Sequence, residues 1–170
     1  MIPIQDDNPT QRTPIVTIIF ISICIAVFLH QANLPREAAE LFAFQYGAVP
    51  AIVFGQASLP EEAVAIPAYL TLVTSMFLHG GWMHLLGNML YLWIFGNNIE
   101  DAMGHGRFVV FYILSGILAA LSHGFTNLSS QIPMVGASGA ISAVLGAYLL
   151  LFPRAHVLVL KSSQEIENGR

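Results

Sequence analysis

The chain has 170 residues, with 6 lysine and arginine residues against 10 aspartate and glutamate, a formal charge of -4. Charged residues make up 9% of it and hydrophobic ones 55%, whereas soluble domains carry roughly 25% charged residues. This excludes a disordered chain, a nucleic-acid binder and an ordinary soluble enzyme, and leaves lipid as part of the solvent.

The spacing of charge marks the elements. Acidic and basic side chains are absent from Thr13 to Pro35, from Ala63 to Ile99 and from Phe108 to Pro153. A helix rises about 1.5 Å per residue and a bilayer core is about 30 Å thick, so a span needs about 20 residues. The first gap holds one span, the second one span plus a re-entrant or interfacial piece, and the third two spans with a short link.

Span one is read at Ile15–Leu29, with Pro14 in or before its first turn. The run is rich in β-branched residues, but an open strand in lipid would leave backbone groups unpaired, so a helix is expected. Its flank, MIPIQDDNPTQR, is acidic rather than basic, which argues against a signal peptide. The single cysteine, Cys24, sits in this run as a small hydrophobe and excludes a disulfide framework and a thiolate cluster.

Residues 31–65 alternate short apolar patches with Pro, Gly and Glu. They read as a long loop with short helices, packed against the bundle or the headgroups. Tyr69–Phe77 is a short apolar helix. Span two runs from Trp82 to Phe95, closed by Gly96, with Asn97, Asn98, Glu100 and Asp101 marking its exit. Span three is Phe108–Leu121, and span four runs from Ala137 to Phe152, stopped by Pro153 and Arg154. With an internal N-terminus, Arg12, Arg107, Arg154, Lys161 and Arg170 fall inside and only Arg36 outside, as the positive-inside rule favours. The fold class is therefore an all-α, polytopic transmembrane helix bundle.

Polar residues at membrane depth carry the chemistry. His84 and Asn88 lie four residues apart, on one helix face. Each is costly to bury in lipid without a partner. They serve either an interhelical hydrogen bond or a pair of donors aimed at a reacting oxygen. His79 precedes them at the break formed by Gly80 and Gly81, where it would pin the loop to the span. Span four opens Gly136-Ala137-Ser138-Gly139-Ala140. A serine between small residues at a helix start has room around its hydroxyl and free backbone N–H groups beside it. The same residues suit close packing, since Gly139, Ala143 and Ala147 recur in steps of four, as do Ser138, Ser142 and Gly146. His105 reads as part of an inner turn, while His30 and His123 sit at span ends. No histidine pair has metal spacing.

Three strings then carry a resemblance: HGGWMHLLGNMLYLWIFGNNIED, MGHGRFVVFYILSG and PMVGASGAISAVLGAYLLLFPRA. Together they resemble the rhomboid family of intramembrane serine proteases, over roughly residues 10–160. The resemblance implies Ser138 as the catalytic serine, His84 and Asn88 as side chains that help bind the oxyanion, and Gly136 as the motif glycine beside them. It implies His79 as a supporting histidine and Glu100 as the acid that closes the second span. It further implies a serine–histidine dyad that cuts single-pass membrane proteins near the membrane surface, without cofactor or metal. The chain would then divide into a cytoplasmic segment 1–13, a partial rhomboid transmembrane domain 14–160 and a polar tail 161–170, in the plasma membrane.

The family core has six spans with the dyad histidine on the sixth, whereas about four are legible here. The expectation is a truncated product, inactive alone unless complementing helices come from another chain. The alternative reading is an inactive rhomboid-like fragment that holds membrane-protein clients without cutting them.

Overall fold

The computed structural model describes residues 2–160; the tail 161–170, with Lys161 and Arg170 of the charge count, lies outside the described residues. The order is β1 (Ile2–Asp6), α1 (Ile15–Asn33), α2 (Arg36–Tyr46), α3 (Pro50–Val53), α4 (Thr71–Thr74), α5 (Trp82–Met103), α6 (His105–Thr126), α7 (Ser138–Leu151) and β2 (Val157–Leu160). Single 3-10 turns flank α4, so Ala68–Phe77 forms one short continuous helical piece, close to the expected Tyr69–Phe77.

The helices pack as a bundle with α5 at its centre, against α1, α6 and α7. Its apolar core includes Phe20 of α1, Leu92 and Ile99 of α5, Phe108 and Tyr112 of α6, and Val144 and Tyr148 of α7. Large apolar side chains also face outward. Ile18, Ile19 and Ile25 of α1, Val110, Leu114 and Leu118 of α6, and Leu149 and Leu150 of α7 are all exposed. So broad an apolar surface on so small a bundle is a lipid-facing belt. Helices α1 and α6 are each long and apolar enough to cross a membrane, and the Glu61–Phe77 segment with α5 makes a third, bent pair turning through 81°. The 14-residue α7 is apolar but shorter.

Helices α1, α5 and α6 all run past the expected bounds, α1 to Asn33. Helix α5 does not close at Gly96. It runs on through Asn97, Asn98, Glu100 and Asp101 to Met103, because Asn98, Glu100 and Asp101 find partners in the N-terminal segment and the start of α1. Glu100 is buried, and its carboxylate accepts the Val16 and Thr17 backbone N–H groups at 2.8 Å each and the Thr17 hydroxyl at 2.7 Å, with His105 Nδ1 beside it. These amides open α1, where no intrahelical acceptor exists and the helix dipole favours a negative charge. Asp101 accepts the Gln11 and Arg12 N–H groups in the same way. Helix α6 also extends beyond the expected span, starting at His105 directly after Gly104, whose φ of +80° suits glycine alone.

The N-terminal segment is not only a polar flank. Strand β1 pairs antiparallel with β2 under the inner end of the bundle. Asp6 accepts hydrogen bonds from Asn98 Nδ2 at 2.7 Å and from the Tyr148 hydroxyl at 2.9 Å, and Asn8 donates to Asn98 Oδ1 at 3.0 Å. The His156 backbone N–H, and then its ring, hold the exposed Asp7 carboxyl below the usual carboxylate range. One end of the molecule thus gathers the start of α1, the ends of α5 and α7, and both strands. The opposite end, outer on the orientation that the charges favour, gathers the end of α1 and the starts of α5 and α7.

Candidate active site

At the outer end the chain makes two sharp turns that face each other. The first is His79-Gly80-Gly81, which leads into α5; the second is Val135-Gly136-Ala137, which leads into α7. Gly136 has φ +120°, a conformation side chains rarely tolerate, and its N–H donates to the Ser75 carbonyl at 2.8 Å. A Cβ placed on Gly136 would lie 2.6 Å from His84 Cε1, 2.7 Å from His84 Nε2 and 3.8 Å from Asn88 Nδ2. The start of α7 therefore rests on the polar face of α5, and only a glycine fits between them.

His84 Nδ1 faces the Gly80 N–H at 3.4 Å. That contact assigns Nδ1 as acceptor and puts the proton on Nε2, the nitrogen nearest Gly136. Asn88 is 8% exposed, and its Nδ2 has no partner among the described residues. An unpaired donor at that depth costs about 1–3 kcal/mol, so the site holds donor capacity in reserve. His79 is 2% exposed, with its ring edge-on to His84 at 5.2 Å between centroids. Neither of its ring nitrogens has a partner among the described residues, and its backbone N–H donates to Gln31 Oε1 at 3.3 Å. The turn is thereby tied to the last turns of α1.

Ser138 is the first residue of α7. It is exposed, and its carbonyl accepts the Ser142 hydroxyl at 2.8 Å. Helix α7 begins with Ile141 N–H bonded to the Ala137 carbonyl, which leaves the preceding amides without an intrahelical acceptor. Ser138 and Gly136 open onto a cavity of about 770 Å³ between α6, α7 and the segment Ser130–Gly136. His84 and Asn88 do not line it; they reach Gly136 from α5.

All five residues singled out in the sequence (His79, His84, Asn88, Gly136 and Ser138) are thus gathered at one end of the bundle. One residue of this region was not foreseen. Ser75 lines the cavity and supplies the carbonyl that holds Gly136. Ser75 carries no sequence signal, since its place depends on where α4 ends in space. His123, read as a span-end residue on the same side as the serine that could reach it only by rearrangement, lines the same cavity as Ser138. The packing reading of span four holds for one row only. A Cβ on Gly139 would lie 2.6 Å from Ala119 Cβ, so α6 and α7 touch there, whereas Gly146 has open space around it. His30 stacks near Phe42, and His105 and His156 sit at the inner end with Glu100 and Asp7. No cluster with metal-ligand geometry occurs among the described residues.

Residues 67–165 match the rhomboid domain. The chain is 37% identical over 78 residues to RHOMBOID-like protein 5 of Arabidopsis thaliana, covering 46% of this chain and 25% of that protein. It is 34% identical over 98 residues to Rhomboid protein 1, mitochondrial, of Saccharomyces cerevisiae, covering 55% and 28%. It is 37% identical over 89 residues to Rhomboid protease GluP of Bacillus subtilis, covering 52% and 17%. The match spans less than a third of the length of each of these relatives.

Proposed function

This chain belongs to the rhomboid family, and on that premise we propose that it carries the nucleophile and oxyanion-binding half of an intramembrane serine endopeptidase site. The observation that carries this reading is the contact of Gly136 with His84, with Asn88 beside it, two residues before a serine at a helix start. Ser138 Oγ attacks a substrate backbone carbonyl, and its proton passes to a base. The tetrahedral oxygen is held by His84 Nε2–H, the Asn88 amide and the backbone N–H groups that open α7. Collapse breaks the C–N bond, the base returns the proton to the leaving amine, and water then hydrolyses the acyl-serine. Oriented donors in a low-dielectric site are worth more than the same donors in water.

The length of α7 sets the depth of this chemistry. Fourteen residues rise about 21 Å, against a hydrocarbon core of about 30 Å. With its inner end at the interface, Ser138 sits about 10 Å below the outer surface. That depth suits a bond inside or next to a transmembrane segment, so the substrates are single-pass membrane proteins. The membrane is assigned as the plasma membrane, with the site opening outward. Of the three similar proteins described above, only the yeast one is named for a compartment, the mitochondrion.

A second reading has its own observation. Among the described residues no histidine nitrogen is hydrogen-bonded to Ser138 Oγ, and His84 is turned toward Gly80 and Gly136. On this reading Ser138 has no base unless helices of another chain supply one, and the fold holds membrane clients uncut. A fluorophosphonate probe separates the two. On the proteolytic reading the probe labels the protein at Ser138, and Ser138→Ala loses all labelling. Absence of labelling in a folded wild-type protein in membranes contradicts the proteolytic reading. Equal co-purification of clients by wild type and Ser138→Ala then supports the second.

A further inference from the structure

The outer loop between α2 and α3 reads in the sequence as a surface segment packed on the bundle, but its backbone is bonded into the site. The Ala48 N–H donates to the Met134 carbonyl at 3.0 Å, and the Met134 N–H donates back to Ala48 at 2.8 Å, an isolated antiparallel bridge. The Ala51 N–H donates to the Ser130 carbonyl at 2.9 Å. On the other side, the Thr74 hydroxyl donates to the Tyr46 carbonyl at 2.6 Å, and the next residue, Ser75, holds the Gly136 N–H. Tyr46, Gly47 and Ala48 are therefore joined to Gly136 by two routes, one through Met134 and one through Thr74 and Ser75.

Gly47 sits at the junction of both. Its φ of -79° is open to any residue, so conformation does not require glycine there. Space does. A Cβ on Gly47 would clash with the Ala43 carbonyl oxygen and lie 3.1 Å from Pro133 Cβ and 3.2 Å from the Met134 carbonyl oxygen. Two of these neighbours are backbone, and the third is a proline with little freedom to move. Ala48, which follows, is fully buried, and Val49 and Ala51 nearly so, so the loop cannot retreat from the contact.

We propose that Gly47 is a positioning residue for the Ser138 site: its missing side chain lets the loop after α2 bridge to Met134 and so seat Gly136 against His84. This rests on the reading of Ser138 as the nucleophile. A side chain at position 47 displaces Pro133 and Met134, and Gly136 follows two peptide units later. Misplacement of a reacting group by about 1 Å costs about 100-fold in rate, so a displacement of a few tenths of an ångström is enough to register.

The test compares wild type, Gly47→Ala, Thr74→Val and Gly106→Ala in the full chain in detergent micelles. Gly106 lies in the first turn of α6, with open space at its Cβ position and an ordinary φ. Three quantities are read: the fluorophosphonate labelling rate, amide hydrogen exchange, and the His84 ring nitrogen resonances. Gly47→Ala slows labelling at least tenfold, speeds exchange at Ala48, Met134 and Gly136, and shifts the His84 resonances, while α5 and α6 keep their protection. Thr74→Val, which removes the second route without adding bulk, acts in the same direction more weakly, and Gly106→Ala matches wild type. Unchanged labelling in Gly47→Ala, or slowed labelling with the bridge amides still protected, overturns the proposal. So does loss of protection throughout α5 and α6, which makes Gly47 a residue of the core. A wild type that never labels overturns the nucleophile reading, and the exchange and His84 data still report whether Gly47 governs the seat of Gly136.

Discussion

Gly136→Ala is expected to lower the rate of fluorophosphonate labelling at Ser138 by about 100-fold or more, which corresponds to about 2.7 kcal/mol of transition-state stabilisation. Two separate effects combine. The residue has φ +120°, and forcing a side chain into such a region costs about 1–3 kcal/mol. The new methyl also falls 2.6 Å from His84 Cε1, a distance no real contact sustains, so the imidazole or the turn must yield. Either movement separates His84 and Asn88 from the start of α7. Thermal unfolding of the bundle should change far less than the labelling rate, because Gly136 lies in a turn and the core of α1, α5, α6 and α7 does not pass through it. Labelling within threefold of wild type would show that the close fit of Gly136 to His84 has no part in the chemistry.

Glu100→Ala should be the most destabilising single change in the inner half of the molecule, by about 3 kcal/mol. The carboxylate accepts two backbone N–H groups and a hydroxyl from the first turn of α1 and adjoins His105. Alanine leaves these donors buried with no acceptor and removes the charge that complements the dipole of α1. Glu100→Gln keeps an acceptor oxygen but loses the charge, so it should cost about 1 kcal/mol. Unfolding in mixed micelles with increasing sodium dodecyl sulfate measures both. The order wild type, Gln, Ala is expected, and equal stability of all three would mean that α1 is held by apolar packing alone.

Much of this was legible in the sequence because lipid is a demanding solvent. Charge-free stretches long enough to cross it located α1, α5, α6 and α7, and the four-residue step from His84 to Asn88 placed both on one face. The small residues around the serine at the start of α7 suited packing as well as chemistry, and the family resemblance singled it out. What the sequence did not reveal depends on partners far away along the chain. Asn98 and Glu100 looked like the exit of a span, but their partners Asp6 and Thr17 lie 92 and 83 residues earlier, and with those partners α5 continues to Met103. Strands β1 and β2 are short and sit at opposite ends of the chain, so neither signals the other. The bridge from Ala48 to Met134 uses only backbone atoms, which leave no mark on residue type except the missing side chain of Gly47. His123 joins the cavity of Ser138 only because α6 extends past Leu121.

The central claim is spatial: the polar face of α5 meets the turn before Ser138. The most direct measurement is a nuclear Overhauser experiment on protein with selectively labelled histidine and glycine in micelles, reading transfer between the His84 ring CεH and the Gly136 Hα protons. The account predicts a strong cross-peak in wild type, present also in Ser138→Ala, because the contact belongs to the fold and not to the nucleophile. A folded protein with assigned resonances and no transfer between these two residues would contradict it.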